Sequence, residues 1–153
     1  MSGLYWIVGG DKALHGPVLR LTDGGYPHVT IIYSGKALTE NELTVIALSS
    51  KPPLMRPIVI TGAYVNSFTP AAKDGVEQPE RHDVLMSVDA DTEKLVHDAR
   101  ATVKKLHPGA ALRYGPPHVT HCICGTREEA EEALAALEPL LPARVVITGV
   151  TID

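Results

Sequence analysis

The tetrapeptide Pro-His-Val-Thr occurs twice in this chain, at 27–30 and again at 117–120. A second unit is shared in the same order: Ile58-Val59-Ile60-Thr61-Gly62-Ala63 returns as Val145-Val146-Ile147-Thr148-Gly149-Val150. The two histidines lie 90 positions apart and the two Ile-Thr-Gly units 87 apart. A lone His-x-Thr means little, but two motifs kept in order and spacing point to an internal repeat of one supersecondary unit. The fold must therefore place two related halves around an approximate twofold relation.

At 153 residues the chain fits one domain able to bury a core. Each half alone would be a small three-strand unit, so the halves read as lobes of a single domain spanning 1–153. The lobes are expected at 4–65 and 83–152, with a linker at 66–82. A formal net charge of -4 argues against tracking long nucleic acid, which demands a basic surface. A small phosphorylated ligand needs only a few local donors. The two cysteines, Cys122 and Cys124, sit two apart on one expected strand, poorly placed for a disulfide, and read as reduced, packed thiols. The start has no basic region followed by a sustained apolar stretch, and no apolar run approaches transmembrane length. A soluble, cytoplasmic protein with no membrane partner is the expectation.

Along the chain, strands are expected at Leu4 to Val8, at about 28 to 34, at Ile58 to Val65, at Asp83 to Val88, over 119–123 and at Arg144 to Ile152. Thr39-Glu40-Asn41-Glu42 and Thr126-Arg127-Glu128-Glu129 carry the capping-box pattern and open helices. Asp91 can cap a third helix with the apolar face Leu95, Val96, Ala99, Val103 and Leu106, terminated by Pro108-Gly109. The first half has only a turn-rich connector, Asp11 to Gly25, where the second carries that full helix. The polar stretch 66–81 reads as an inter-lobe linker, or as a flap over a site using Phe68.

Residues i and i+2 of a strand share a face, so each histidine shares one with its threonine. Pairing of the lobes would bring His28 and His118 together across a cleft. One neutral imidazole can take a proton from an attacking oxygen while a protonated one supplies the leaving oxygen. Thr30 and Thr120 would hydrogen-bond the nonbridging phosphate oxygens. That scheme calls for no cofactor and no metal.

These paired motifs in two repeated lobes resemble the 2H (two-histidine) phosphoesterase superfamily. It includes LigT-like RNA 2′,3′-cyclic phosphodiesterases, RNA-end cyclic phosphodiesterases and phage enzymes that destroy cyclic-oligonucleotide immune signals, the anti-CBASS-like branch. His28, Thr30, His118 and Thr120 match its His-x-Thr/Ser motif residue by residue. The phrase from His28 to Ser34 resembles the first motif of the phage branch. The resemblance implies a bilobal α/β (α+β) fold: two pseudo-symmetric lobes of antiparallel sheet, with outer helices, around a central groove lined by these four residues. It also implies metal-independent catalysis. His121 departs from the apolar residue usual after the second motif; by alternation it points away from Thr120 and reads as structural.

The first expectation is a phosphodiesterase that hydrolyses a cyclic nucleotide, cyclic oligonucleotide or 2′,3′-cyclic phosphate. The alternatives are an RNA-end 2′,3′-cyclic phosphodiesterase or 2′-5′ RNA ligase-like enzyme, and a binding module that only holds a nucleotide. The expected partner is a small phosphorylated nucleotide, with RNA ends as a further candidate. Tyr5 and Trp6 on the first strand are candidates to stack a nucleobase, though alternation lets only one face the groove. Tyr26 and Tyr114 precede the two motifs and are placed to edge the pocket or to pack turns, Tyr114 being a further substrate-binding candidate. A zinc site from His82, His118, His121, Cys122 and Cys124 matches no usual ligand spacing.

Overall fold

A computed structural model describes residues 2–10, 16–20, 26–34, 38–108 and 116–152. Its elements, in order, are β1 (Ser2–Gly9), β2 (His28–Ser34), α1 (Glu40–Ser49), β3 (Pro57–Phe68), β4 (Arg81–Val88), α2 (Ala90–Leu106), β5 (His118–Cys124), α3 (Arg127–Leu137), a 3-10 turn (Glu138–Leu140) and β6 (Ala143–Ile152). The expected α+β architecture is the observed one.

The six strands close into a ring in the order β1-β2-β5-β4-β3-β6, with every neighbour antiparallel. Two joints in that ring are short. β2 meets β5 only at Val29↔Val119, and β3 meets β6 only over Pro57–Ile60 and Ala143–Val146. The ring is thus two three-stranded sheets, β6-β1-β2 (lobe 1) and β3-β4-β5 (lobe 2), seamed along two edges. The third strand of each sequence repeat has crossed to the other lobe: β3 pairs with β4 as far as Phe68↔Arg81, and β6 pairs with β1 as far as Leu4↔Ile152. A spatial lobe is therefore not a stretch of chain such as 4–65, and neither repeat can close its own sheet. The strands also consume the ends of the expected linker, leaving 69–80. Within it, Asp74 (φ 53°) and Gly75 (φ 76°) form a two-residue turn closed by hydrogen bonds between Lys73 and Val76. Left-handed backbone at both central positions suits a hairpin, and at Gly75 it costs little.

The repeated Ile-Thr-Gly unit encodes a bulge. In β3, Ile60 pairs with Val88 and Gly62 with Ser87, leaving Thr61 as the extra residue. In β6, Ile147 pairs with Val8 and Gly149 with Ile7, leaving Thr148. Each extra threonine turns its hydroxyl on the neighbouring strand, Thr61 donating to the Ser87 carbonyl and Thr148 to that of Ile7, both at 3.4 Å. Bulges of this kind bend a strand and raise its twist, which a closed ring requires.

Helices cover the outer faces: α3 lies across β3, β4 and β5, α2 lies against β2 and α1, and α1 reaches β6. Thr39 forms the full capping box with Glu42, and Thr126 accepts from the Glu129 N–H. The α2 cap is Asp89 rather than Asp91. Asp89 accepts from Thr92 and also from the Val59 N–H at 2.9 Å, tying the helix start to β3. Burial raises its carboxyl pKa, but these hydrogen bonds outweigh that and hold it below the ordinary value. Val96, Ala99 and Val103 are buried as expected, whereas Leu106, at the last position of the helix, is half exposed.

Candidate active site

The site sits at the narrow β2–β5 seam. Val29 and Val119 pair there and are both fully buried, pointing into the core. In an antiparallel pair this register sets His28 beside Thr120, and Thr30 beside His118, on the opposite, concave face. Two histidines and two threonines thus occupy four adjacent positions of one surface.

Each imidazole is held the same way. His28 Nδ1 lies 2.8 Å from the Tyr26 carbonyl, and His118 Nδ1 lies 3.2 Å from the Pro116 carbonyl. A carbonyl can only accept, so each Nδ1 carries the proton in the bond. That tautomer leaves Nε2 with a lone pair in the neutral ring and with a proton in the charged one. The surroundings differ. His28 is met edge-on by Tyr5 at 4.8 Å and by Tyr26 at 5.5 Å. Tyr5 also meets Tyr33 at 5.8 Å, and it lies over Gly3, where any Cβ would collide with its ring.

Both motif strands bulge directly after the threonine. Ile31 is the extra residue in β2 and His121 in β5. The bulge turns two successive side chains inward: Ile31 and Ile32 in one strand, His121 and Cys122 in the other, all at most 4% exposed. Each bulge is also tied to the opposite half of the chain. Arg100 of α2, buried in the apolar stripe, donates from Nε to the Ile31 carbonyl and from Nη2 to the Thr30 carbonyl, both at 3.0 Å. His121 Nδ1 reaches the Val18 carbonyl in the first-half connector at 2.7 Å. Burial depresses the His121 pKa, with Arg20 adding to the effect and the Val18 bond opposing it. His121 is structural, as the sequence suggested.

A cavity of about 420 Å³ opens beside the seam. Thr30, His118, Thr120, Arg100 and Pro116 line one end, while Tyr64, Asn66 and Phe68 of β3 with Arg81, Asp83 and Leu85 of β4 line the other. Sequence reasoning missed most of the second group. An arginine within the apolar stripe of α2, and the alternating Tyr64, Asn66, Phe68 at the end of β3, were the available signals.

Of the expected aromatics, Tyr5 is on the concave face beside His28. Trp6 is not: it points into the core at 1% exposure, with no face left for a ligand. Tyr114 lies outside the described residues. His82 is buried on the far side of the β3–β4 hairpin, bonded to Ser67 Oγ (2.6 Å) and to Glu80 (3.2 Å). The Cys122 and Cys124 sulfurs are 3.7 Å apart and unbridged, and burial pushes the Cys122 thiol up to about 11. Among the described residues no three His, Cys, Asp or Glu side chains gather as a metal site. No helix among them is long and apolar enough to cross a membrane.

No family model matches the sequence, and neither does any curated protein. Solved structures do. The chain is similar to Usb1 of Kluyveromyces marxianus, with a TM-score of 0.53 and 11% identity over 99% of this chain and 96% of that one. It is equally similar to the same protein with uridine monophosphate, at a TM-score of 0.52 and 12% identity over the same shares. At that identity the likeness is one of fold, and it runs over nearly the whole of both chains.

Proposed function

We propose that the protein is a metal-independent phosphodiesterase that opens a 2′,3′-cyclic phosphate at the end of an RNA or a nucleotide. The observation that carries this reading is the seam itself: two His-Thr pairs on one concave face, each imidazole oriented through Nδ1 by the carbonyl two residues before it. The likeness to Usb1, one of whose structures holds uridine monophosphate, supports a nucleotide phosphate as the ligand class. It favours the RNA-end alternative over a cyclic oligonucleotide, which rested only on chain length, charge and a short motif similarity.

In the proposed reaction, the neutral imidazole takes a proton from water through Nε2 as the oxygen attacks phosphorus. The protonated imidazole gives its Nε2 proton to the departing ribose oxygen as the second P–O bond breaks. The product is a phosphomonoester with a free neighbouring hydroxyl. Thr30 and Thr120 donate to the nonbridging oxygens, whose charge grows in the transition state. Because both histidines have the same tautomer, their roles follow from the side on which the leaving oxygen lies.

The test is product analysis in EDTA, wild type beside His28→Ala and His118→Ala. The panel holds 2′,3′-cyclic mononucleotides, 3′,5′-cyclic mononucleotides and cyclic di- and trinucleotides. Histidine-dependent opening of the 2′,3′-cyclic phosphates is expected. Cleavage confined to cyclic oligonucleotides would instead select the signal-degrading reading. Binding without cleavage would select a nucleotide-binding module.

A further inference from the structure

The motif residues are shared between the lobes, and Thr30 of lobe 1 reaches the near end of the cavity, but the far end is not shared. Among the described residues, that far end is built by lobe 2, from three cross-strand pairs on the concave face: Tyr64↔Leu85, Asn66↔Asp83 and Phe68↔Arg81. Leu85 in turn pairs with Thr120, so this ladder starts at the motif and runs away from it. Along β4, Asp83 lies two residues and Arg81 four residues beyond that starting point, roughly 7 and 13 Å at strand spacing. The first distance suits the base of the nucleotide whose phosphate sits on the seam.

The chemistry at that level is specific. Asp83 is 4% exposed, and its two oxygens each accept one hydrogen bond from Arg81, Nε to Oδ1 at 3.0 Å and Nη2 to Oδ2 at 2.7 Å. Each carboxylate oxygen has a second lone pair, and the side chain lines the cavity. The Arg81 guanidinium is itself stacked on Phe68, 4.9 Å from the ring centroid, which closes the end wall with a flat surface. Opposite Asp83, Asn66 can donate or accept and so serves any base edge. Asp83 can only accept.

We infer that the concave face of lobe 2 is a nucleobase subsite in which Asp83 selects a base carrying an exocyclic amino group over uracil. The inference rests on the phosphodiesterase reading above and adds the substrate feature that this site reads. Cytosine and uracil share a shape and differ chiefly in an amino donor against a carbonyl acceptor and in the ring nitrogen beside it. The amino group satisfies an Asp83 lone pair. The carbonyl faces it with like charge, and a contact that attracts one base and repels the other is what makes such a site discriminate.

The experiment compares cytidine and uridine 2′,3′-cyclic phosphates as kcat/KM in EDTA, and 3′-CMP with 3′-UMP as Kd by calorimetry. Wild type should favour cytidine by about ten- to a hundredfold in both. In Asp83→Asn, which supplies a donor, the ratio should fall toward one or invert. In Asn66→Leu both pyrimidines should weaken while the ratio stays. A ratio within one variant is independent of the fraction folded, so partial misfolding of Asp83→Asn does not imitate the result. Equal use of the two bases, or a uridine preference, by wild type overturns the inference, as does a ratio unchanged in Asp83→Asn. Hydrolysis of neither substrate would overturn the phosphodiesterase reading instead, and the calorimetric ratio would still decide the subsite.

Discussion

The two lobes have corresponding strands, corresponding bulges and corresponding motif residues, yet their concave faces differ. Tyr5 pairs with Thr30 in lobe 1 just as Leu85 pairs with Thr120 in lobe 2. Two residues upstream, Gly3 faces Tyr33 where Asp83 faces Ile123. In lobe 1 the tyrosine folds down over the glycine and fences His28. In lobe 2 the smaller leucine and the aspartate leave a cavity beside His118. A symmetric scaffold thus supplies two histidines held in the same way, and two substitutions decide which side has an open cavity.

The strongest way to break the equivalence is to remove one histidine at a time. His28→Ala and His118→Ala should each lower kcat by about 10²–10⁴-fold, with circular dichroism and urea midpoints near wild type. Near-full activity in either single variant would end the paired mechanism. Thr30→Val and Thr120→Val should each lower kcat less than the histidine changes, because each removes one of several donors to the phosphate.

The supports of the two motif strands come next. Arg100→Met strips two hydrogen bonds from the β2 bulge and should destabilise the protein by about 2–4 kcal/mol in urea titration, since two buried carbonyls lose a charged donor. Arg100→Lys keeps the charge but not the planar fork and should recover only part of the loss. Tyr5→Leu would make lobe 1 resemble lobe 2. Losing the edge contact to His28, worth about 0.5–1.5 kcal/mol, should reduce kcat about two- to tenfold with little change in KM. Leu85→Tyr should do the reverse, raising KM by filling the cavity. If Tyr5→Leu changed KM alone, Tyr5 would be contacting substrate rather than orienting His28.

The asymmetry explains what the sequence made legible. Repeats, strand periods and caps are local signals, so the six strands and three helices of the described residues, and the four motif residues, could be read from one chain. The exchange of β3 and β6 between lobes could not, because nothing within Ile58–Val65 states which partner strand it will meet. The bulges escaped for the same reason: strict alternation misses the paired inward residues Ile31-Ile32 and His121-Cys122 until a partner register exists. Trp6 illustrates the cost. Alternation showed that only one of Tyr5 and Trp6 could face the groove, and the burial that chose Tyr5 belongs to the packed sheet. Asp89 displaced Asp91 as a cap because it also reaches Val59, a contact across 30 residues.

The finest difference between the motif strands is at the bulge, where lobe 1 has Ile31 and lobe 2 has His121. The depressed pKa of His121 means the folded protein resists a proton that the unfolded chain accepts below about pH 6.5. The His121 contribution is therefore complete above that value and shrinks as pH falls, until the folded-state pKa is reached. The slope is bounded at about 1.4 kcal/mol per pH unit for one proton. The positive charge of Arg20 acts in the same direction as burial on that pKa. His121→Ile, which copies lobe 1, should cost about 1–3 kcal/mol at neutral pH by orphaning the Val18 carbonyl. It should also flatten the fall in urea midpoint between about pH 7 and pH 5, so that the two proteins converge in stability as acid is added. Parallel pH curves for the two would mean that His121 is not the group responsible, and the contrast between the bulges would be one of packing alone.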